Sequence, residues 1–378
     1  IYGGMARRSG QTGFQRKNRY LIKSSISKKI IEKYMKKGNS ALAVIALAIL
    51  LIGGFFGFRY YQKFFGNNVE KEGYILIPHS ANMNSILDSI APYIKNKENF
   101  EAVAKEKNLG KHFNAGRYRI KSGTSNSDLV NMIKAGNQTE NTFRIGDFGD
   151  VYQMVGRVTK KTELDSLRFV KDLNSIAVKK GYSNAEDLKK YFFIDTYNFF
   201  WTVTPEQFFK KFEDQYNDFW TAERKAKEAQ SGLTRDQIYA LASIVYKESG
   251  GKPDEQKTIA GLYLNRYRKG MKLQSDPTVI YAINKETNFT TPIKRVLYKH
   301  LRHPSPYNTY ANAGIPPGPI CITDKSSVDA VLNPERNNYI FMAADPDKFG
   351  FHRFTASDTE HAKNARDYQE WLNSKNIK

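Results

Sequence analysis

The sequence predicts an α+β chain behind a single N-terminal transmembrane helix, and three observations carry that reading. Residues 41–58 (ALAVIALAILLIGGFFGF) form an apolar run without a charge. Between residues 73 and 138, short strand-like stretches alternate with amphipathic segments. Beyond them, apolar residues recur mostly at helical spacing, so the larger part of the chain is expected to be helical.

The apolar run has eighteen residues. At a helical rise it covers roughly 27 Å, close to the hydrocarbon thickness of a bilayer. Tyr60 and Tyr61 follow it as interfacial aromatics do. A cleaved signal peptide would end in small residues, whereas this run ends in Phe55, Phe56, Phe58 and Arg59. The span is therefore read as a retained anchor.

Its flank sets the orientation. Residues 1–40 carry eleven Lys/Arg and one acid, Glu32. The positive-inside rule puts that side in the cytoplasm and the remainder of the chain outside. The flank reads as a topology signal that touches anionic lipid, or equally as a disordered basic tail. Met5 is a candidate initiator behind Ile1.

This placement changes what the net charge of +21 means. About half belongs to the cytoplasmic flank, and an extracytoplasmic domain does not meet nucleic acid, so no nucleic-acid partner is expected. Cys321 is the sole cysteine, which excludes an intrachain disulfide and a multi-cysteine metal site. An aromatic content of 13 % argues for packed cores.

The organisation expected is a basic tail (1–40), the membrane helix (41–60), a linker (61–72), a small α/β unit (73–138), a connecting helical and aromatic region (139–232) and a final domain (233–378). In the small unit, Gly73 to Pro78 and Gly116 to Ile120 read as strands, and Asn84 to Ile94 and Phe100 to Lys107 as helices. A further helix runs from Ser125, its N-cap, to Ile133, with Gly136 as the stop. In the connecting region, Tyr191 to Trp201 (YFFIDTYNFFW) fits either a core strand or the aromatic lining of a sugar cleft. Residues 205–230 have the stripe of one amphipathic helix, through Phe208, Phe209, Phe212, Tyr216 and Trp220.

The final domain opens with a capping box, Thr234 and Gln237, and an apolar stripe through Ile238, Leu241, Ala242 and Val245. Gly250 and Gly251 end that helix. Glu248 lies seven residues after Leu241 and three after Val245, on the same stripe. Burial and the C-terminal end of the helix dipole both disfavour its charged form, which raises its pKa toward that of a general acid. From spacing alone, an inert, half-solvated Glu at a fraying helix end is the favoured reading.

A second helix from about Glu255 to Lys269 ends at Gly270. Residues 305–320 (SPYNTYANAGIPPGPI) form a long Pro/Gly/Asn-rich loop that presents Tyr307, Asn308 and Tyr310. These side chains suit a neutral ligand rich in hydroxyls and amides, or else they brace the loop. His352 and His361 are nine apart and lack ligand spacing on one face; His300 and His303 sit beside Pro304, in a loop. No metal site is expected.

Five stretches together carry a family resemblance: ASIVYKESG (242–250), AGLYLNRYRKGMKLQSDPTVIY (260–281), YNTYANAGIPPGPI (307–320), NPERNNYIFMAAD (333–345) and HRFTASDTEHAKNARDY (352–368). They resemble the endolytic murein transglycosylases of the MltG/YceG type, over roughly residues 73–378. The resemblance implies a LysM-like glycan-binding unit at 73–138 and a lysozyme-related, mostly helical catalytic domain. It implies cleavage of the β-1,4 bond between N-acetylmuramic acid and N-acetylglucosamine to 1,6-anhydro ends, with Glu248 as general acid and base. Gln274, Asp276, Tyr307 and Asn308 are then cleft residues, with Tyr310 of the same loop beside them, and Asp195-Thr196-Tyr197 resembles a motif that flanks the cleft. Tyr246 stands where many members have a second Glu, and Ile194 where Pro is usual.

No cofactor is implied. The implied partners are peptidoglycan glycan strands, the bacterial cytoplasmic (inner) membrane, and wall-synthesis machinery. A different class of function also fits: a non-catalytic glycan-binding scaffold that recruits wall-synthesis enzymes.

Overall fold

The computed structural model describes residues 12–293 and 295–375. The first eleven residues of the basic tail, and so Met5, lie outside the described residues. From Thr12 the chain is helical without a break: α1 (Thr12–Phe65) carries the apolar run. The stretch long and apolar enough to cross a membrane is Leu42–Phe65, and none of its most apolar window is buried in protein. The helix thus outlasts the predicted boundary at residue 60 and takes in residues 61–65 of the predicted linker. No proline interrupts α1 before Gly66, where the backbone folds back so closely that its Cβ position falls on the Gln62 carbonyl.

Two compact units divide the chain. The first holds α1 and the segments Ala81–Asn114 and Arg119–Gly136. Along residues 73–135 the elements follow β1 (Gly73–Ile77), α2 (Met83–Ile90), α3 (Lys97–Glu106), β2 (Gly116–Ile120) and α4 (Asn126–Ala135), and β1 pairs with β2. The predicted helix over Asn84 to Ile94 is shorter, because Pro92 turns its end into a 3-10 segment, Ala91–Tyr93. Ser125 caps α4 by accepting from the Asp128 amide, and Gly136 ends it in the left-handed conformation, as predicted. Ile86, Ile90, Phe100, Val103, Leu129 and Ile133 form the apolar interior. Two buried carboxamides tie α1 to this unit. Asn126 donates to the Lys63 carbonyl (2.8 Å) and accepts from Asn68 (2.6 Å).

The second unit contains all that follows residue 136. It begins with β3 (Asn141–Ile145), α5 (Val151–Val158), α6 (Ser166–Lys179), β4 (Asp195–Phe199) and α7 (Pro205–Phe219). Then come α8 (Ala222–Ser231), α9 (Arg235–Ser249), α10 (Pro253–Arg268), α11 (Asp276–Glu286), α12 (Lys325–Leu332), β5 (Phe341–Ala344), β6 (His352–Thr355) and α13 (Asp358–Ser374). β3 and β4 are antiparallel, with Phe143 opposite Tyr197, and β5 and β6 form a second antiparallel pair.

Residues 205–230 are two helices, where the sequence suggested one. Thr221 caps a new helix with its hydroxyl on the Arg224 amide, so the chain turns at Trp220 although the apolar stripe does not warn of it. The aromatic stretch at 191–201 resolves as core: Phe192, Phe193, Tyr197 and Phe199 are all buried. They belong to two neighbouring clusters. One gathers Phe143, Phe169, Phe199, Phe208 and Phe212; the other packs α9, α10 and α12 together through Leu241, Val245, Ile259, Leu262 and Val328. Each fully buried side chain of this kind contributes about 1.5–3 kcal/mol, so the second cluster holds α9 as a rigid mount.

Candidate active site

The mount is built at both ends. Thr234 accepts from the Gln237 amide (3.2 Å) while Gln237 accepts from the Thr234 amide (2.9 Å), and Gly250 closes the helix at φ +59°. Glu248 therefore sits in the last turn, beside the packed stripe, with part of its surface open to a cleft of ≈450 Å³.

Two hydroxyls grip one carboxyl oxygen. Tyr263, buried on α10, donates to Glu248 Oε1 at 2.7 Å, and Ser275, buried just before α11, donates to the same atom at 2.6 Å. The other oxygen is left to the cleft. Burial pushes the Glu248 pKa up; the Ser275 and Tyr263 hydroxyls and the His352 ring pull it down, and Asp276 pushes it up again. Burial prevails, so the carboxyl holds its proton to higher pH than an exposed glutamate. Burial and the adjacent carboxyl likewise hold the Tyr263 phenol in its protonated, donating form.

The segment that delivers Ser275 is fixed from below. Gln274 has φ +56°, the left-handed region that a side chain with a Cβ rarely adopts. Its amide donates to the Thr309 carbonyl (3.2 Å), and the Ser275 amide donates to the Thr309 hydroxyl (2.9 Å). Arg266 donates to the Gln274 side-chain oxygen, to the Lys272 carbonyl (2.9 Å) and to the Ile340 carbonyl (2.6 Å). Buried in the cleft wall, it links the acid's surroundings to the residue just before β5. On the far side, Glu255 holds His352 through its amide (2.8 Å) and ring Nδ1 (3.0 Å). His361 stacks flat on Phe341 at 4.8 Å.

Of the eight residues expected at the site, the structure brings Glu248, Gln274, Asp276 and Tyr310 to this cleft. Tyr310 donates to Asp276 Oδ1 at 2.7 Å. The other four lie elsewhere. Tyr307 faces a separate cavity of ≈330 Å³ with Lys189, Lys285 and Pro319, its ring edge-on to Tyr281 at 4.8 Å. Asn308 is wholly buried and braces the loop: it donates to the Leu301 (3.0 Å) and His303 (2.8 Å) carbonyls and accepts from the Tyr310 amide (2.9 Å). Tyr197 is buried with its hydroxyl on the Phe193 carbonyl (2.9 Å), and Asp195 is exposed at the start of β4; neither lines the cleft.

Sequence reasoning missed Tyr263, Ser275, Arg266 and the His352–Glu255 pair. Tyr263 carried a usable signal, since it lies one residue after Leu262 on the apolar face that packs against α9. Among the described residues no group of three or more His, Cys, Asp or Glu is placed to hold a metal ion.

The sequence profile of the YceG-like family matches residues 75–367. Over 352 residues the chain is 28% identical to an endolytic murein transglycosylase of Bacillus subtilis (strain 168), a match covering 87% of this chain and 93% of that protein. It is 26% identical over 368 residues to the endolytic murein transglycosylase of Streptococcus pneumoniae (serotype 2, strain D39), covering 88% of this chain and 65% of that protein. The 2.6 Å crystal structure of a YceG-like protein from Listeria monocytogenes superposes with a TM-score of 0.52 at 24% identity, over 77% of this chain and 98% of that one, a likeness of fold.

Proposed function

The chain belongs to the YceG-like family, and on that premise we propose that it is a membrane-anchored peptidoglycan lytic transglycosylase with Glu248 as its acid and base. The observation that carries this is the Glu248 carboxyl: burial raises its pKa, Tyr263 and Ser275 hold one oxygen, and the other is open to the cleft. A protonated carboxyl gripped in this way carries its proton on the free oxygen, aimed at a bound ligand.

The reaction balances without water. Glu248 protonates the oxygen between N-acetylmuramic acid and N-acetylglucosamine, and the C1–O bond breaks. The muramic C6 hydroxyl attacks C1, and the Glu248 carboxylate takes the hydroxyl proton. One glycan chain becomes two, one of them with a 1,6-anhydro end, and the acid is regenerated. The two hydroxyl donors favour the carboxylate formed midway. Because the attacking hydroxyl belongs to the sugar, no second catalytic carboxylate is required, and Asp276 with Tyr310 positions the glycan.

Leu42–Phe65 spans the bacterial cytoplasmic membrane, the basic segment before it lies in the cytoplasm, and the second unit works outside. Residues 73–138 act as a LysM-like glycan-binding unit, residues 233–378 as the lysozyme-related catalytic region, and wall-synthesis enzymes are partners.

The test is digestion of purified glycan strands with product ends read by mass spectrometry. The wild-type chain is expected to give anhydro ends and Glu248→Gln none, with strand binding retained. Reducing ends would make the enzyme a hydrolase, and undiminished cleavage by Glu248→Gln would remove Glu248 from the chemistry.

A further inference from the structure

The first unit contains a further concave site, remote in the chain from Glu248. It lies where α1 leaves its apolar stretch and meets the turn after Gly66 and the start of α3, with a volume of ≈850 Å³. Its wall changes character along α1. Phe55 and Phe58 contribute bare aromatic surface at one end; Arg59, Lys63 and Lys95 contribute three cations at the other, and no wall residue is acidic. None of the three cations forms an ion pair among the described residues. The Arg59 guanidinium lies over the Phe55 ring at 5.8 Å.

The site is rigidly built. The Asn68 and Asn126 carboxamides of its floor are buried and bonded to one another, and Asn126 holds the Lys63 carbonyl. Tyr60 pins the rim by donating to Glu106 at 2.6 Å.

Depth follows from length. The candidate span Leu42–Phe65 has 24 residues, roughly 36 Å of helix against ~30 Å of hydrocarbon. With Leu42 at the inner edge, the stretch from Arg59 to Lys63 emerges at the level of the lipid headgroups. We propose that this crevice binds the headgroup of an anionic phospholipid in the outer leaflet, its phosphate between Arg59, Lys63 and Lys95 and its acyl chains along Phe55 and Phe58. The proposal rests on the reading of α1 as a membrane span.

The test uses the full chain in phosphatidylcholine nanodiscs doped with phosphatidylglycerol, extracted into detergent, with retained lipid counted by native mass spectrometry. The wild-type chain is expected to retain phosphatidylglycerol preferentially. Lys63→Gln/Lys95→Gln is expected to lower that retention about fivefold per cation. Lys71→Gln/Lys121→Gln, which removes equal charge outside the crevice, is expected to leave it unchanged.

Equal losses in both double variants, or none in either, overturn the site. Complete displacement by millimolar inorganic phosphate also overturns it, in favour of a free-anion site. A chain that fails to float with vesicles overturns the span and the proposal together, whereas one that floats but shows no lipid preference overturns the proposal alone.

Discussion

Replacing Glu248 by glutamine should stabilise the fold at neutral pH while abolishing strand cleavage. Burial lifts the Glu248 pKa above the ordinary carboxyl value of 4.5 despite two hydroxyl donors. The folded chain therefore binds this proton more tightly than the unfolded chain does. Stability is greatest below the unfolded carboxyl pKa and declines as pH rises through the folded one. Glutamine keeps a carbonyl oxygen for Tyr263 and Ser275 and never carries the charge. Above the window, the variant should exceed the wild type by about 1–2 kcal/mol, the scale of an incompletely compensated buried group. For a unit of this size that is roughly 2–8 °C in Tm. Calorimetry of both proteins from pH 4 to 8.5 reads it. The difference should vanish at the acid end and open toward the alkaline end. A constant difference, or a less stable variant at pH 8, would refute the reasoning.

The other expectations concern what surrounds the acid. Tyr263→Phe and Ser275→Ala each remove a donor that favours the carboxylate, so the alkaline limb of the pH–rate profile should move to higher pH, with kcat lower by about tenfold for a lost hydrogen bond to a charged group; a limb that moves down contradicts the geometry. At Gln274, φ +56° should make Gln274→Gly more stable than Gln274→Val by about 1–2 kcal/mol in urea unfolding. Asn308→Ala should cost about 2–3 kcal/mol, because it orphans the Leu301 and His303 carbonyls. It should also lower cleavage more than Tyr307→Phe does, since Tyr310 hangs from the Asn308 side chain.

What the sequence made legible was local. Capping chemistry at Ser125, Thr234 and Gly250 announced helix ends because a cap is satisfied within three or four residues. Glu248 could be placed on the apolar stripe because its neighbours there lie within the same two turns, and the family resemblance then singled it out. The unread parts are tertiary. Tyr263 and Ser275 matter only because α10 and the 274–276 segment converge on the same oxygen, and no spacing rule states that convergence. The loop at 305–320 shows the opposite limit. Its neighbouring residues were read together, yet Tyr307, Asn308 and Tyr310 face a second cavity, the interior and the cleft respectively. In irregular backbone, adjacency carries no common direction. The single helix read over 205–230 failed because Thr221 offers a cap inside an uninterrupted stripe, and a stripe records which face is buried, not where the axis turns.

Phe341 on β5, His361 on α13 and Ile340 just before β5 join the cleft wall, and all three are made after the acid and both of its donors. A nascent chain that has completed α9 holds the acid, and with α10 and the 274–276 segment it holds both donors, yet it has no groove for a ligand to enter. A chain cut between α11 and β5 would keep the Glu248 carboxyl and its two hydroxyl donors and lose the cleft wall at Ile340, Phe341 and His361.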